Sequence, residues 1–193
     1  MERKISDAEL MNRVAMDDTA AFSELLTRYQ LPLFNFIYRL LANYEETEDL
    51  TQEVFLRVYS SAKRYKPQAK FTTYLFKIAR NLCLNKLRKR NRFRLFSLDE
   101  DEKYTDIQAP EHYSPEVRYK KKEVGILIEQ ALASLPENQR MAVILQRFHN
   151  LSYKEIAEVL GCSVCAVESL IFRAKRKLKE KLSASFGDNR CLK

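Results

Sequence analysis

LSYKEIAEVLGCSVCAVESLIFRAKRKLK, residues Leu151 to Lys179, is the stretch that decides the fold. Ser152 followed three residues later by Glu155 has the spacing of a reciprocal capping box, and the helix it opens carries Ile156, Ala157 and Leu160 on one side. Gly161 supplies the left-handed backbone that a sharp helix exit needs, and Ser163 is placed to cap a second helix. In that helix Val164, Val167, Ile171, Ala174 and Leu178 recur at steps of three and four and predict one buried stripe. Cys165, Glu168, Ser169, Phe172, Arg173 and Arg176 then face outward as a polar, partly basic surface of the kind that enters a DNA major groove. The bland alternative is a helical hairpin with a solvated basic face. The agreement of caps, turn glycine and outward arginines favours DNA.

Composition supports that expectation. Glycine (3) and proline (5) are scarce, which argues for a mainly helical chain, and 46% hydrophobic residues exclude a disordered one. A net charge of +8 favours a polyanionic partner, nucleic acid or an anionic membrane surface. No apolar run is long enough to span a bilayer, and MERKISDAEL lacks the apolar core of a signal peptide, so the expected compartment is the cytoplasm, with no membrane insertion. Cys83, Cys162, Cys165 and Cys191 are not spaced as a disulfide framework. Cys162-x-x-Cys165 alone is a weak metal signal, so free thiols, no metal site and no cofactor are expected.

Earlier in the chain, Phe22, Leu25, Leu26 and Tyr29 have helical spacing, and Pro32 predicts a break before Leu33, Phe34, Ile37, Leu40 and Leu41 resume it as a second helix. In the next helix Leu50, Val54 and Val58 form a buried face, while Asp49, Gln52 and Glu53 share the opposite side. On residue physics alone that acidic face is simply solvated. SSAKRYKPQAK reads as a loop. After it, Thr72 or Thr73 is placed to cap a helix that buries Phe71, Leu75, Ile78, Ala79 and Leu82. Tyr74, Lys77, Asn81, Asn85 and Arg88 line its other side. An aromatic ring, two amides and two cations on one stripe suit single-stranded or distorted DNA, because rings stack on bases, amides read base edges and cations meet phosphate. The run KLRKRNRFR adds Lys86, Lys89, Arg90, Arg92 and Arg94.

The charge then reverses. Net charge is +7 over residues 1–98, −6 over 99–116 and +7 over 117–193. The acidic stretch carries Pro110 and Pro115 and no helical period, so it reads as a flexible tether kept extended by self-repulsion. Ser114-Pro115-Glu116 is a helix start leading to Val124, Leu127, Ile128, Ala131, Leu132 and Leu135. Pro136 opens a further helix whose Met141, Ile144, Leu145 and Phe148 pack under the helix-turn-helix, and the tail beyond Leu182 is expected to be loosely ordered. The predicted fold is all-α: two small helical domains, 1–94 and 117–193, joined by an acidic flexible linker, 95–116, with the helix-turn-helix in the C-terminal one.

In this order, DLTQEVFLRVY, FTTYLFKIARNLCLNKLR and SLPENQRMAVILQRFHNLSYKEIAEVLGCSVCAVESLIFRAKRKL resemble the extracytoplasmic-function sigma factors of bacterial RNA polymerase, over about residues 18–182. The resemblance implies a promoter-specificity subunit without an active site. It turns the acidic face (Asp49, Gln52, Glu53, with Arg57) into a docking site for the polymerase β′ clamp. It makes Tyr65, Lys66, Tyr74, Lys77, Arg80, Asn81, Asn85 and Arg88 candidates for the separated minus-10 strand. It assigns Glu168, Ser169, Phe172, Arg173 and Arg176 to minus-35 duplex DNA. The partners it implies are core RNA polymerase, through the β′ clamp and β flap, promoter DNA and an anti-sigma factor. Tyr74 stands where many relatives carry tryptophan, and Glu168 occupies an outward recognition position. Two alternatives are a stand-alone helix-turn-helix regulator, for which no dimerisation helix or effector pocket is visible, and a metal-dependent nuclease using Asp49 and Glu53, on which no further acids or histidines converge.

Overall fold

The structure, a computed structural model, describes residues 5–67, 69–96 and 125–186, the side chains of 93–96 and 184–186 excepted. Every regular element among them is helical. The first group is α1 (Asp7–Val14), α2 (Thr19–Leu41), α3 (Tyr44–Ser61) and α4 (Phe71–Phe96), with a single 3-10 turn at Ala62–Arg64. The second is α5, a helix over 125–133, followed by α6 (Glu137–His149), α7 (Tyr153–Leu160) and α8 (Val164–Phe186).

Polar side chains set the helix starts. Ser6 accepts from Glu9 N at 3.2 Å, Asp18 Oδ1 from Ala20 and Ala21 N at 2.9 and 3.0 Å, and Asn43 Oδ1 from Glu46 N at 2.9 Å, each satisfying amides that a helix leaves unpaired. Asp18 is held further by Arg13 at 2.7 Å, and these bonds keep its carboxyl below the usual range. The helix α1 was not foreseen from the sequence, yet its Leu10, Met11 and Val14 are all buried.

Several expectations are corrected. Pro32 lies inside one continuous helix rather than between two. Leu25, Leu33, Phe36, Ile37 and Leu40 are buried on both sides of it, and that packing outweighs the lost N–H bond. The stretch SSAKRYKPQAK is a loop only from Tyr65 on, since Ser61 ends α3 and residues 62–64 form the 3-10 turn. Helix α4 begins at Phe71, so Thr72 and Thr73 sit within its first turn instead of capping it, and it runs to Phe96. Val164 and Ile128 are exposed, leaving the buried stripes to Val167, Ile171 and Ala174 and to Ala131, Leu132 and Leu135. Helix α8 continues to Phe186, well beyond Leu182. The acidic tether from residue 97 on, Ser114-Pro115-Glu116, Val124 and Cys191 lie outside the described residues.

The two groups touch. Helix α6 packs on α2, and α7 packs along α4. At the first contact the His149 ring lies 4.6 Å from the ring centre of Phe76 and 5.8 Å from that of Phe36. Phe148, expected in the core, is instead 40% exposed and covered by the Arg39 guanidinium at 4.1 Å. Arg39 Nε also stands 3.4 Å from Glu129 Oε1, an ion pair without hydrogen-bond alignment. At the second contact Lys70 Nζ meets Glu155 Oε1 at 2.8 Å.

Candidate nucleic-acid interface

The helix-turn-helix is built as its sequence dictates. Glu155 N donates to Ser152 Oγ at 3.3 Å, while Glu155 Oε2 accepts from Ser152 N at 2.7 Å and from its hydroxyl at 2.6 Å, which completes the capping box. Hydrogen bonds from Lys70 and Ser152 depress the Glu155 carboxyl to about 2. Gly161 ends α7 at φ 63°, Cys162 N donates to Ala157 O at 3.1 Å, and Ala166 N donates to Ser163 Oγ at 3.2 Å to start α8. With Val167, Ile171 and Ala174 buried, Glu168, Ser169, Phe172, Arg173 and Arg176 form one exposed stripe. Phe172 is 68% exposed in its midst, an apolar contact flanked by cations. Arg176 approaches Glu180 only at 3.9 Å, so its guanidinium remains available to phosphate.

On α4, Lys77, Asn81, Asn85 and Arg88 are exposed on one stripe, with Leu75, Ala79 and Leu82 buried behind them. Tyr65 and Tyr74 are less free than a stacking platform would be. Their rings meet at 5.1 Å, the Tyr74 hydroxyl pairs with Ser61 Oγ at 2.5 Å, and burial raises the Tyr65 phenol above its ordinary value. They form a half-buried aromatic shelf at the start of the stripe, with Lys66 exposed beside it. Arg80 is partly buried and donates to Asn81 Oδ1 at 3.1 Å, which orients that amide. The basic run is divided: Lys86 is tied to Glu46 at 2.9 Å and Arg90 donates to Leu41 O at 3.4 Å, whereas Arg88, Lys89 and Arg92 are exposed. The side chain of Arg94 lies outside the described residues.

The third face lies on α3. Asp49 and Gln52 are exposed, and Glu53 is clamped by Arg57 at 2.6 Å. Leu56, 65% exposed, sits one turn from Gln52 and Glu53 and gives the acidic face an apolar centre. Leu56 escaped the sequence reading, although its position outside the Leu50, Val54 and Val58 stripe was a sufficient signal. Among the described residues no group of three or more His, Cys, Asp or Glu converges as a metal site, and no helix is long and apolar enough to cross a membrane. Cys83 is buried, which pushes its thiol up to about 12; Cys162 is half-buried and Cys165 exposed.

A helical scaffold with a capped helix-turn-helix and a separate amide-and-cation stripe defines a DNA-binding transcription factor. Residues 25–93 match Sigma-70 region 2 and residues 126–178 match Sigma-70, region 4. The chain is 37% identical over 172 residues to the ECF RNA polymerase sigma factor SigE of Mycolicibacterium smegmatis, covering 88% of this chain and 65% of that one. It is 33% identical over 185 residues to the RNA polymerase sigma-H factor of Pseudomonas aeruginosa, covering 91% of this chain and 93% of the relative. In fold it is similar to the sigma factor RpoE of Bartonella quintana, solved in complex with the anti-sigma factor NepR, with a TM-score of 0.70, 24% identity, and coverage of 87% and 98%. The chain belongs to the sigma-70 family, within its ECF RNA polymerase sigma factors.

Proposed function

We propose that the chain directs core RNA polymerase to promoters by binding alone, with no catalytic group of its own, and works in the cytoplasm. The first domain, residues 1–94, docks on the polymerase β′ clamp through Asp49, Gln52, Glu53, Leu56 and Arg57. It captures the melted minus-10 strand along Lys77, Asn81, Asn85 and Arg88, with Tyr65, Lys66, Tyr74 and Arg80 shaping the entrance. The second domain, residues 117–193, reads minus-35 duplex through Glu168, Ser169, Phe172, Arg173 and Arg176 and contacts the β flap. The acidic stretch 95–116 joins them, and an anti-sigma factor competing for the α3 face is part of the same proposal.

The observation that carries this proposal is the occurrence, in one chain, of two separate exposed stripes of different chemistry. One is rich in amides and cations and runs along the middle of a long helix; the other lies on the second helix of a helix-turn-helix. Each is a modest binder alone. Held together by a larger enzyme, they act at high effective concentration. That arrangement disfavours a stand-alone regulator, which needs a tight self-sufficient DNA contact. The test is transcription in vitro with purified core enzyme on a randomised promoter library. Specific transcripts are expected with the chain, and their loss together with core association in the double reversal Asp49→Lys, Glu53→Lys. Absence of any transcript, or a reversal that leaves core association intact, overturns the proposal.

A further inference from the structure

The charge on helix α8 is divided along its length. Its first nine residues, Val164 to Phe172, hold no lysine or arginine and one acid, Glu168, whereas the next nine hold Arg173, Lys175, Arg176, Lys177, Lys179 and Lys181. Lys177 donates to Ser134 O at 2.8 Å, while Arg173, Lys175, Arg176 and Lys179 are exposed and suit phosphate. The start of the helix, the end that meets base edges in a helix-turn-helix, is therefore left to uncharged side chains and one carboxylate. That carboxylate is uncommitted. Three and four residues away along α8 stand Val164, Cys165, Ile171 and Phe172, none of them a cation, so no intrahelical ion pair absorbs its charge. Glu168 is exposed, and among the described residues no hydrogen bond or salt bridge holds it.

An acid carried into a groove walled by phosphates is repelled unless it meets a hydrogen-bond donor there. The major groove offers two such donors on the bases, cytosine N4 and adenine N6, and they differ in their neighbours. Adenine places its N7 acceptor beside the N6 donor, a pair that an amide satisfies and a carboxylate does not, because the second carboxylate oxygen faces a lone pair. Cytosine presents N4 with no acceptor of its own beside it. We propose that Glu168 selects cytosine in the duplex element bound by α8, an inference that rests on the minus-35 reading proposed above. Phe172, four residues further along the same stripe and 68% exposed, meets a thymine methyl. A helix pitch of about 5.4 Å against a base step of about 3.4 Å puts that thymine within about two base pairs of the cytosine. The cations from Arg173 onward hold the backbone and fix the register in which these two side chains read.

The test is a selection of promoter duplexes randomised through the minus-35 element, made with the full chain assembled on core RNA polymerase. The selected bases are read by sequencing for the native chain, Glu168→Gln and Glu168→Ala, with helical content checked by circular dichroism. The native chain is expected to favour cytosine at one position by at least about 5-fold over any other base. Glu168→Gln is expected to move that preference to adenine, because a glutamine amide pairs with N6 and N7 together. Glu168→Ala is expected to abolish the preference at that position alone and to bind sequences lacking the cytosine more tightly than the native chain does, since the repulsion is gone. A carboxylate that is merely solvated predicts one profile for all three chains, and that result, or a cytosine preference that survives in both variants, overturns the assignment. The same selection on the free chain at low salt separates this inference from the functional proposal. Promoters selected and transcribed by the polymerase complex with a profile indifferent to Glu168 overturn the cytosine reading and leave the function standing. A Glu168-dependent cytosine preference in the free chain, with no transcript from core enzyme, does the reverse.

Discussion

Among the described residues, lowering the pH from 7.5 to 5 acts against stability chiefly through one histidine, His149. Burial against Phe36 and Phe76, with a smaller contribution from the nearby Arg39 charge, pushes His149 down from 6.5 to about 4. Between those two values the unfolded chain binds a proton that the folded chain does not, so stability is complete above pH 6.5 and is lost as pH falls toward 4. For that pair of values the loss at pH 5 has an upper bound of about 2 kcal/mol, and solvent at the exposed edge of the ring reduces it to about 1–2 kcal/mol. Glu155, held at about 2, releases its contribution only below its ordinary value of 4.5 and so acts in a lower window. Burial raises Glu129, which makes the folded chain bind its proton first and opposes His149 slightly. Urea unfolding of the native chain and of His149→Phe at pH 7.5, 6, 5 and 4.5 separates these effects, since the phenyl ring keeps the packing and removes the titration. The variant is expected to match or exceed native stability at pH 7.5 and to lie above it by about 1–2 kcal/mol at pH 5. Parallel pH profiles for the two proteins would refute the reasoning.

The recognition helix and the proline are tested more simply. Arg173→Ala is expected to weaken holoenzyme binding to its preferred minus-35 sequence by about 1–3 kcal/mol and to relax selectivity at one base pair if it reads a base edge. Arg176→Ala, if it meets phosphate, weakens binding evenly across sequences and lowers the slope of log affinity against log salt by about 1; fluorescence anisotropy across a salt series distinguishes the two roles. Pro32→Ala restores an N–H to the continuous helix α2 and is expected to raise stability by about 1–3 kcal/mol, less the entropy that proline removes from the unfolded chain. A lower melting midpoint for that variant would show that α2 depends on the proline for its shape.

Local physics was legible in the sequence and long-range physics was not. Ser152, Glu155, Gly161 and Ser163 act on backbone within a few residues of themselves, so their spacing alone predicted the capping box, the left-handed exit and the start of α8. The exposed stripes of α4 and α8 follow equally from a period of three to four residues. Pro32 was misread because its local penalty is visible in the sequence, whereas the burial of Leu25, Leu33 and Ile37 that overrides it is tertiary. Phe148 and Ile128 were misread for the mirror reason. They fall on an apolar period, but the partner that covers Phe148 is Arg39, more than a hundred residues away. His149 gave no signal at all: a histidine at a helix end carries no mark of the two rings that enclose it.

Glu155 joins the two groups of helices while it also caps α7. Its Oε2 serves the capping box with Ser152, and its Oε1 serves Lys70. The two tasks use different oxygens of one carboxylate, so withdrawal of Lys70 leaves the box intact and α7 capped. The Lys70 side chain is 76% exposed, which limits that ion pair to about 0–1 kcal/mol. A substitution at Glu155 removes both functions together, whereas one at Lys70 removes only the bridge. Arg39, Lys70 and His149, which make contacts between the two groups of helices, all lie outside the exposed stripes of α4 and α8.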